Sequence, residues 1–433
     1  MGISGSGMAP LAELALLSGI SVSGSDIRES RGSARLLSLG VPIDFFHTDA
    51  RVGGADAVIY SHAVPRDAPE LRYARAHGIP TFSRAELLGA LSLRSTFRIG
   101  ISGSHGKSTT VAMTERIFSL AGLSPTVVSG AALCSGEALL FGKRDLFIFE
   151  ACEYRDSFLA TRPTAAVILN AELDHTDYFK SERQLERSFY EFARGARDMA
   201  IVNIDTPLSA SVYSRLGGRA TSLGRAAYAD FRYTPGGNSD AAFALEYRGR
   251  PLGLFSLNTL GTHFIADAAA AAAVAYLHGV RVDTVREALA SFSGIERRLE
   301  LLCNIGGRSI FYDYAHHPTE IAAVISAVRQ KYGKCTVIFK PHTYSRTASL
   351  WEGFVSSLRL ADHAVLLDIY AAREGEIPGI SSSLLAEAVG PRARHLPDPL
   401  AVEYTLQQTE GAVILMGAGE VDKIKNIFLK LGE

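Results

Sequence analysis

The sequence lacks the features of a secreted, membrane-spanning or metal-stapled protein. Its four cysteines, Cys134, Cys152, Cys303 and Cys335, are scattered and form no CxxC pair. This spacing is typical of neither a zinc site nor a disulfide framework, and it favours a reducing compartment. No apolar run approaches the roughly 18 residues of a membrane span, and no secretory signal is visible. We therefore expect a cytoplasmic protein without a membrane partner.

An excess of charge of either sign is missing as well. The chain has 44 Lys and Arg against 45 Asp and Glu, a formal net charge of −1. A nucleic-acid-binding domain is normally basic, and an acidic disordered protein carries a large negative charge, so both classes are disfavoured. The hydrophobic content of 47% is ordinary for a globular protein. At about 150 residues per domain, 433 residues predict about three domains.

Short β-branched runs alternate with amphipathic helices along the chain, a pattern typical of an α/β protein with mainly parallel sheets. We divide it into three blocks, 1–93, 94–295 and 296–433. The main predicted elements are helix Met8–Ser18 and strands Ile20–Ser23, Ala57–Tyr60, Phe97–Ser102, Leu146–Glu150, Ala165–Leu169, Ser309–Asp313, Thr336–Lys340, Ala364–Ile369 and Ala412–Met416.

A glycine-rich loop, Gly2–Gly7, opens the first block and leads directly into a predicted helix. Such a loop normally follows a buried strand, which brings the loop to the carboxyl edge of a parallel sheet. Here the loop begins at residue 2, so that strand is missing from the sequence. A shortened start and a rebuilt sheet edge are the two explanations.

The strongest local signal is a phosphate loop between strand Phe97–Ser102 and a helix that begins near Lys107. Its glycines let backbone N–H groups approach phosphate oxygens, and the helix N-terminus adds positive partial charge. Lys107 would reach the β- and γ-phosphates, and Ser108 would bind Mg²⁺. Ile101 stands where the strict pattern has glycine, so this is a shortened variant. The loop comprises Gly103, Ser104, His105, Gly106, Lys107, Ser108 and Thr109.

Polar residues also follow the next two strands of the second block. Glu150 ends an apolar strand, where a carboxylate either holds Mg²⁺ or caps the following helix, and Glu153 could support it. His175 comes shortly after strand Ala165–Leu169. Because Mg²⁺ prefers oxygen ligands to imidazole, His175 by itself is a weak candidate ligand.

In the third block, the run Tyr312–Glu320 collects an Asp, two Tyr and two His after a strand. This mixture suits substrate binding better than packing. A zinc site is the alternative, but adjacent histidines do not easily share one metal and no HExxH spacing accompanies them. Arg297 and Arg298 lie at the junction with the second block. They are either part of a binding site or a solvent-exposed basic pair.

Taken in order, these motifs resemble the Mur ligases over nearly the whole chain. Gly2–Met8, Gly24–Asp26 and Val58–Ser61 resemble the family's UDP-sugar loops, and Gly103–Thr109 resembles its shortened ATP loop. Similar motifs continue with Glu150–Glu153, Glu172–His175, Arg297–Arg298, Asp313–Pro318, Pro341–Thr347 and Gly417–Gly419.

The resemblance implies a three-domain architecture: a Rossmann-like domain for the UDP-sugar, a central P-loop ATPase and a Rossmann-like domain for the amino acid. It implies ATP-dependent ligation of L-alanine to UDP-N-acetylmuramate through an acyl phosphate, with ATP and Mg²⁺, in a monomer or homodimer. The implied catalytic residues are Lys107, Glu150, His175, Arg298 and Asp313, and the metal ligands are Ser108, Glu150 and His175. Further ATP contacts come from His263, Asp267, Arg298 and Asp313. The implied UDP-sugar contacts are Gly5, Ser6, Gly7, Met8, Asp26 and Ser61, and the amino-acid contacts are Tyr314, His316 and Arg346.

Some positions depart from the family pattern. Phe264 and Asp267 replace amides on the adenine-side helix, Cys152 stands where an Asp is usual, and Tyr312 replaces the first of two Asp. These departures leave open a binding-only paralogue that has lost ATP turnover. A tripeptide-adding recycling ligase is the other alternative, but it would need a roomier pocket at Pro341–Arg346. A mononucleotide kinase would not account for the first and third blocks.

Overall fold

The computed structural model describes residues 1–46, 48, 51–133, 135–143, 145–175, 178–237, 241–372, 374–419 and 421–432. Cys134 lies outside them. In the described part, helices and strands alternate and form four sheets, most of whose strand pairs are parallel. The expected α/β class is therefore confirmed. None of the described helices combines the length and the apolar character needed to cross a bilayer.

The first sheet region is split in two. Strands β1 and β2 form one parallel pair, and β3 and β4 form another. Their elements are α1 (Ala9–Leu17), β1 (Gly24–Ser25), α2 (Arg31–Ser38), β2 (Ile43–Asp44), β3 (Val58–Tyr60), α3 (Pro69–Ala76), β4 (Thr81–Ser83) and α4 (Arg84–Ser92), with a 3₁₀ turn at Val52–Gly54. The predicted strand Ile20–Ser23 is wrong: β1 begins at Gly24, because only there does the backbone pair with the neighbouring chain at Pro42 and Ile43.

A cavity of about 1230 Å³ separates the two pairs. Residues Met1 to Ile3 cross between them at one end: the Met1 amine donates to the Ile59 carbonyl at 2.8 Å, and the Gly2 amide donates to the Ser25 carbonyl at 2.8 Å. The cavity is lined by β1 and β3 and by the inner faces of α1 and α4. The opening loop is therefore held between two half-sheets rather than at the end of one central strand.

The central body is a ten-stranded sheet. Its strands are β5 (Phe97–Ser102), β6 (Thr126–Val128), β7 (Leu139–Leu140), β8 (Leu146–Glu150), β9 (Ala165–Ile168), β10 (Met199–Asn203), β11 (Thr221–Gly224), β12 (Phe231–Pro235), β13 (Ala242–Tyr247) and β14 (Arg250–Ser256). Its helices are α5 (Lys107–Leu120), α6 (Glu182–Arg194), α7 (Pro207–Leu216), α8 (Phe264–Leu277) and α9 (Val282–Ala290), with a 3₁₀ segment at Tyr154–Ala160. β5 lies between β8 and β9, parallel to both, so the loops that follow these three strands meet at one edge.

The third body is a six-stranded sheet in the order β15-β16-β20-β17-β18-β19, with only β15 antiparallel among its described pairs. Its elements are β15 (Glu300–Ile305), β16 (Arg308–Asp313), α10 (Pro318–Tyr332), β17 (Cys335–Phe339), α11 (Tyr344–Ser349), α12 (Trp351–Leu358), β18 (His363–Leu366), α13 (Ser382–Val389), β19 (Ala393–His395), α14 (Asp398–Gln408), β20 (Ala412–Met416) and α15 (Asp422–Gly432).

Both large sheets are buried on both faces. Along β8, Ile148 packs into the core on one face, while Phe147 and Phe149 pack into the core on the other. In the third body, Val337 and Ile338 divide in the same way between two cores. Because successive side chains of a strand point to opposite faces, continuous apolar strands are what such sheets require. Function is therefore concentrated at the strand ends.

Candidate active site

The phosphate loop is shaped by glycines at both ends. Gly106 has φ +82° at the start of α5, and a Cβ there would lie 2.3 Å from Asp267 Oδ1. Asn170, just after β9, accepts from the His105 amide at 2.9 Å and donates to the His105 carbonyl at 3.1 Å. The N-terminus of α5 has no side-chain cap. Its free N–H groups and the tight backbone therefore suit a phosphate group.

Lys107 lies inside this loop. Its Nζ donates to the Gly103 carbonyl at 2.5 Å and to Glu153 Oε2 at 3.0 Å. Glu153 is only 2% exposed, and its charge raises the pKa of Lys107 despite burial, which acts in the opposite direction. Lys107 is therefore positively charged and held by a partner 46 residues away.

The predicted metal ligands Ser108 and Glu150 lie side by side. The Ser108 hydroxyl donates to Glu150 Oε2 at 2.8 Å, and the same oxygen accepts from the Gly130 amide at 3.0 Å. A hydroxyl and a carboxylate at this edge form an oxygen donor set that suits Mg²⁺. His175 faces Glu153 instead, with Nε2 3.9 Å from Glu153 Oε1, and its backbone has φ +52°.

His105 joins the loop to the third body. Its ring nitrogens lie 3.3 Å from Glu172 Oε2 and 3.4 Å from Glu320 Oε1, and its ring centre lies 4.6 Å from that of His317, with the two planes tilted by 42°. His105, Glu172 and His317 also have the spacing of a metal-binding group. The two carboxylates, however, raise the pKa of His105 to about 9, against the opposing effect of burial. The ring is therefore protonated at neutral pH, so that both nitrogens carry a hydrogen and neither offers a lone pair to a metal.

Arg298 approaches the same place from the third body. Its Nη1 lies 3.2 Å from Glu320 Oε1. Asp313 is 1% exposed and accepts from the Leu299 amide at 2.8 Å and the Ala315 amide at 2.7 Å. Asp313 therefore fixes the backbone just after Arg298 and that of the loop after β16, while Glu320 holds Arg298 and His105 together.

A second cavity, of about 300 Å³, opens between the central and third bodies. Its lining residues are Arg225, Tyr233, Pro235, Thr262, His263, Ala266, Ala323, Ser326, Ala327 and Gln330. Asp267 lies one turn of α8 after His263, beneath Gly106, and burial raises its pKa to about 7. Phe264, in contrast, is 3% exposed and belongs to the hydrophobic core. The departure at Phe264 therefore changes packing rather than the cavity wall.

The three predicted amino-acid contacts also come together. His316 Nδ1 lies 3.0 Å from the Tyr314 carbonyl, and Arg298 lies over the Tyr314 ring. Arg346 makes a contact that the sequence did not indicate: its guanidinium binds Asp174 of the central body at 2.9 Å and 3.2 Å. Arg346 also acts electrostatically on both Tyr314 and His316, so the three side chains lie near one another.

In the first body, Asp26 organises the glycine loop. Its carboxylate accepts from the Ser4 amide at 2.8 Å and the Ile27 amide at 2.7 Å. Gly5 and Ser6 are exposed and Gly7 is half-buried, whereas Met8 is 4% exposed and lines the large cavity. Ser61 approaches the start of the loop through its amide, which donates to the Met1 carbonyl at 3.3 Å.

Sequence reasoning missed Arg84 on α4. A Cβ built on Gly7 would lie 3.5 Å from the Arg84 guanidinium. Burial lowers the pKa of His62, and the nearby guanidinium groups of Arg155 and Arg84 lower it further. These groups make the loop's surroundings positive. No sequence motif indicated them, because they come from three separate segments of the chain.

Three family models match the chain in succession. "Mur ligase family, catalytic domain" matches residues 1–96, "Mur ligase middle domain" matches residues 101–275, and "Mur ligase, glutamate ligase domain" matches residues 297–419. Together they cover most of the 433 residues.

The chain also resembles individual proteins over nearly its full length. It is 35% identical to the UDP-N-acetylmuramate–L-alanine ligase of Sorangium cellulosum, covering 98% of this chain and 93% of that protein. The Aquifex aeolicus enzyme of the same name is 36% identical, covering 99% of this chain and 96% of that protein. Among solved structures, the UDP-N-acetylmuramate–alanine ligase of Thermotoga maritima superposes with a TM-score of 0.83 at 25% identity. The match covers 99% of this chain and 97% of that chain. The chain therefore belongs to the Mur ligase family, as its three-domain architecture and the order of its motifs predicted.

Proposed function

We propose that this protein ligates L-alanine to UDP-N-acetylmuramate with conversion of ATP to ADP and phosphate, a step of peptidoglycan precursor synthesis. The observation that carries the proposal is the convergence of Lys107, Glu150 and Arg298 at one interface, although they come from three separate segments. The similarity to alanine ligases at 35–38% identity supports L-alanine as the amino acid.

The reaction has two chemical steps. The lactyl carboxylate of the sugar nucleotide attacks the γ-phosphorus of ATP, which gives an acyl phosphate and ADP. The amine of L-alanine then attacks the acyl carbon, phosphate leaves and the new amide nitrogen loses a proton. Lys107 and the N–H groups of α5 neutralise charge on the transferred phosphoryl group, and Arg298 adds a second positive charge from the third domain.

We propose that Ser108 and Glu150 hold Mg²⁺ and that His175 completes the site. The ion would supply charge neutralisation at the phosphates. Ser108 and Glu150 are within hydrogen-bond distance of each other, so both oxygens can face one cation. Because Glu153 is engaged by Lys107, its role is to hold the lysine rather than the ion.

We divide the roles among 1–93 for the UDP-sugar, 94–295 for ATP and 296–433 for the amino acid. ATP would place its phosphates on Gly103–Thr109 and its adenine in the cavity beside His263. The UDP diphosphate would lie on Gly5–Gly7, near Asp26 and Ser61. The contact of His105 with Glu320 would help to close the site and exclude water from the acyl phosphate. We further propose a cytoplasmic enzyme that acts as a monomer or homodimer.

The test is phosphate release from Mg²⁺ and ATP with UDP-N-acetylmuramate, with and without L-alanine. We expect release that requires both substrates. The tripeptide L-Ala-γ-D-Glu-meso-diaminopimelate should not replace L-alanine; if it does, the recycling ligase is the correct assignment. Binding of the sugar nucleotide without phosphate release would instead identify a binding-only relative.

A further inference from the structure

The cavity of about 1230 Å³ in the first domain runs along one backbone edge of β1. On the opposite edge, the Gly24 amide donates to the Pro42 carbonyl, just before β2, at 3.0 Å. Successive residues of a strand direct their N–H and C=O groups to alternate sides, so Ser23 and Ser25 direct theirs into the cavity. The amides of these two serines donate no hydrogen bond to any residue that the structure describes.

The edge of β3 faces the cavity from the other side. The Val58 amide donates to the Pro80 carbonyl, just before β4, at 2.9 Å, so Ala57 and Ile59 direct their backbone groups away from β4. Both residues line the cavity. As on the β1 side, their two amides find no acceptor in the described part of the chain. Two strand edges thus face each other across one cavity.

Met1 lies between these two edges and bonds to both as a strand does. Its amine donates to the Ile59 carbonyl at 2.8 Å, and its carbonyl accepts from the Ser61 amide at 3.3 Å. The next residue, Gly2, turns to the other side and donates to the Ser25 carbonyl at 2.8 Å. This alternation is the hydrogen-bond pattern of a strand between two parallel neighbours. It fixes both the direction and the register of the space that the cavity leaves beside Met1.

We propose that this cavity is a slot for a β-strand, and that an extended apolar segment of about five residues joined to the Met1 nitrogen fills it. Counted back from Met1, the segment runs beside Ile20–Gly24 on one side and Ala55–Ile59 on the other. Its last carbonyl accepts from the Ser25 amide, and the preceding residue pairs with Ala57 and Ile59. The two half-sheets then become one sheet.

The side chains around the slot have the character that a central strand requires. Apolar residues of α1 and α4, among them Ala12 and Ala90, form part of the walls. Ile20, Phe82 and Leu93 also line the cavity, yet they are 39%, 41% and 51% exposed. A strand that is buried on both faces of a parallel sheet is a continuous apolar run, and its side chains would remove these three residues from water.

The backbone groups favour a peptide strand over a small apolar molecule. Such a molecule would bury the open N–H and C=O groups of both edges without giving them partners, which costs free energy. The nitrogen of Met1 points to the same conclusion. Burial lowers the pKa of the Met1 amine, although Glu70 and Asp26 oppose the effect. A peptide bond at this nitrogen keeps the donor to Ile59 and removes the buried charge.

The slot also accounts for a strand-like segment that is unpaired. Ile20–Ser23 has the composition of a strand, but β1 begins only at Gly24. With the slot filled, this segment gains a neighbour and β1 lengthens toward Ile20. The inserted strand ends where the glycine loop Gly2–Gly7 begins, which is the support that a nucleotide-binding loop has in a doubly wound sheet.

The experiment uses the full chain with three alternative extensions placed directly before Met1. The first is Ile-Val-Val-Ile-Val, which forms strands readily. The second is Val-Pro-Val-Pro-Val, which is also apolar but contains prolines that the middle of a sheet excludes. The third, Gly-Ser-Gly-Ser-Gly, controls for length. Hydrogen–deuterium exchange is measured by mass spectrometry in peptides that cover residues 20–26 and 55–61.

With the first extension, the slot-facing amides of both peptides should exchange at least about tenfold more slowly than in the unextended chain, because they exchange only when the strand opens. The proline and glycine-serine forms should exchange at the unextended rate. Equal protection by the first two extensions would overturn the proposal, since apolar contact without strand pairing would then be sufficient.

Two other results would also overturn it. No protection beyond that of the glycine-serine form would show that the cavity does not accept a strand. Protection of one peptide without the other would show addition to a single edge rather than insertion between two. If the first extension aggregates, Thr-Val-Thr-Val-Thr takes its place. It keeps the backbone donors and the β-branched side chains, so the same protection of both peptides is expected.

Discussion

Replacement of Lys107 by Met separates the structural from the chemical role of this side chain. The substitution keeps an unbranched side chain, one atom shorter, and removes the charge that neutralises Glu153, whose side chain is 2% exposed. Breaking a buried pair by removing one partner costs about 3–5 kcal/mol, because the remaining charge stays buried. The carbonyl of Gly103 also loses its 2.5 Å hydrogen bond. We therefore expect the free energy of unfolding to fall by an amount in this range.

The double variant Lys107→Met with Glu153→Gln removes both charges. It should recover most of the lost stability, since no uncompensated carboxylate remains. Phosphate release should nevertheless stay about 10²- to 10³-fold or more below wild type in both variants, the effect of losing one preorganised charge-stabilising group. Binding of UDP-N-acetylmuramate should be retained, because the glycine loop for this ligand lies in another domain.

The measurements are denaturant unfolding, ATP-dependent phosphate release and calorimetric titration with the sugar nucleotide. Glu153→Gln alone serves as the control for loss of the carboxylate. Wild-type rates in the double variant would refute the role of Lys107 in phosphoryl transfer. If Lys107→Met alone is as stable as wild type, the reasoning about the buried pair is refuted.

Three further perturbations have defined outcomes. Burial raises the pKa of Asp267 from 3.8 to about 7, so the folded protein keeps a proton that the unfolded chain releases in that window, and stability falls as the pH rises. Asp267→Asn should remove this slope and stabilise the protein at pH 8 by up to about 4 kcal/mol but little near pH 4, as unfolding at the two pH values would show. Arg84→Ala should raise the KM for the sugar nucleotide about tenfold or more without changing that for ATP, in steady-state kinetics, because Arg84 lies against the glycine loop. Gly89→Ala would place a Cβ 2.4 Å from the Ala160 carbonyl and should lower the melting temperature through about 1–3 kcal/mol of overpacking, whereas Gly54→Ala, which meets open space, should not.

Local signals were sufficient for the elements that carry the site. β5, β8 and β20 have the predicted bounds, and α10 begins at Pro318 as expected. β8 is a continuous apolar run that ends in a polar residue, and α10 begins with a proline whose missing N–H does no harm. The phosphate loop was equally visible, because its glycines, lysine and serine are neighbours in the chain.

Strand pairing was harder to predict where the strands are very short. Ile20–Ser23 has the composition of a strand, but β1 begins only at Gly24. A strand is defined by a paired neighbour, and on this side of the first domain the neighbouring position is occupied by a cavity.

Sequence alone therefore determined the class of fold, the order of the motifs and the ends of β5 and β8, the strands before the phosphate loop and at Glu150. Only the tertiary structure decided their partners: Glu153 for Lys107, Asp174 for Arg346 and Glu320 for His105, from segments far apart in the chain. Parallel strands bring their carboxyl ends to one edge, which predicts that polar residues gather there. Which charge meets which depends on how the domains pack across that edge, and that geometry comes from contacts between segments that no local pattern contains.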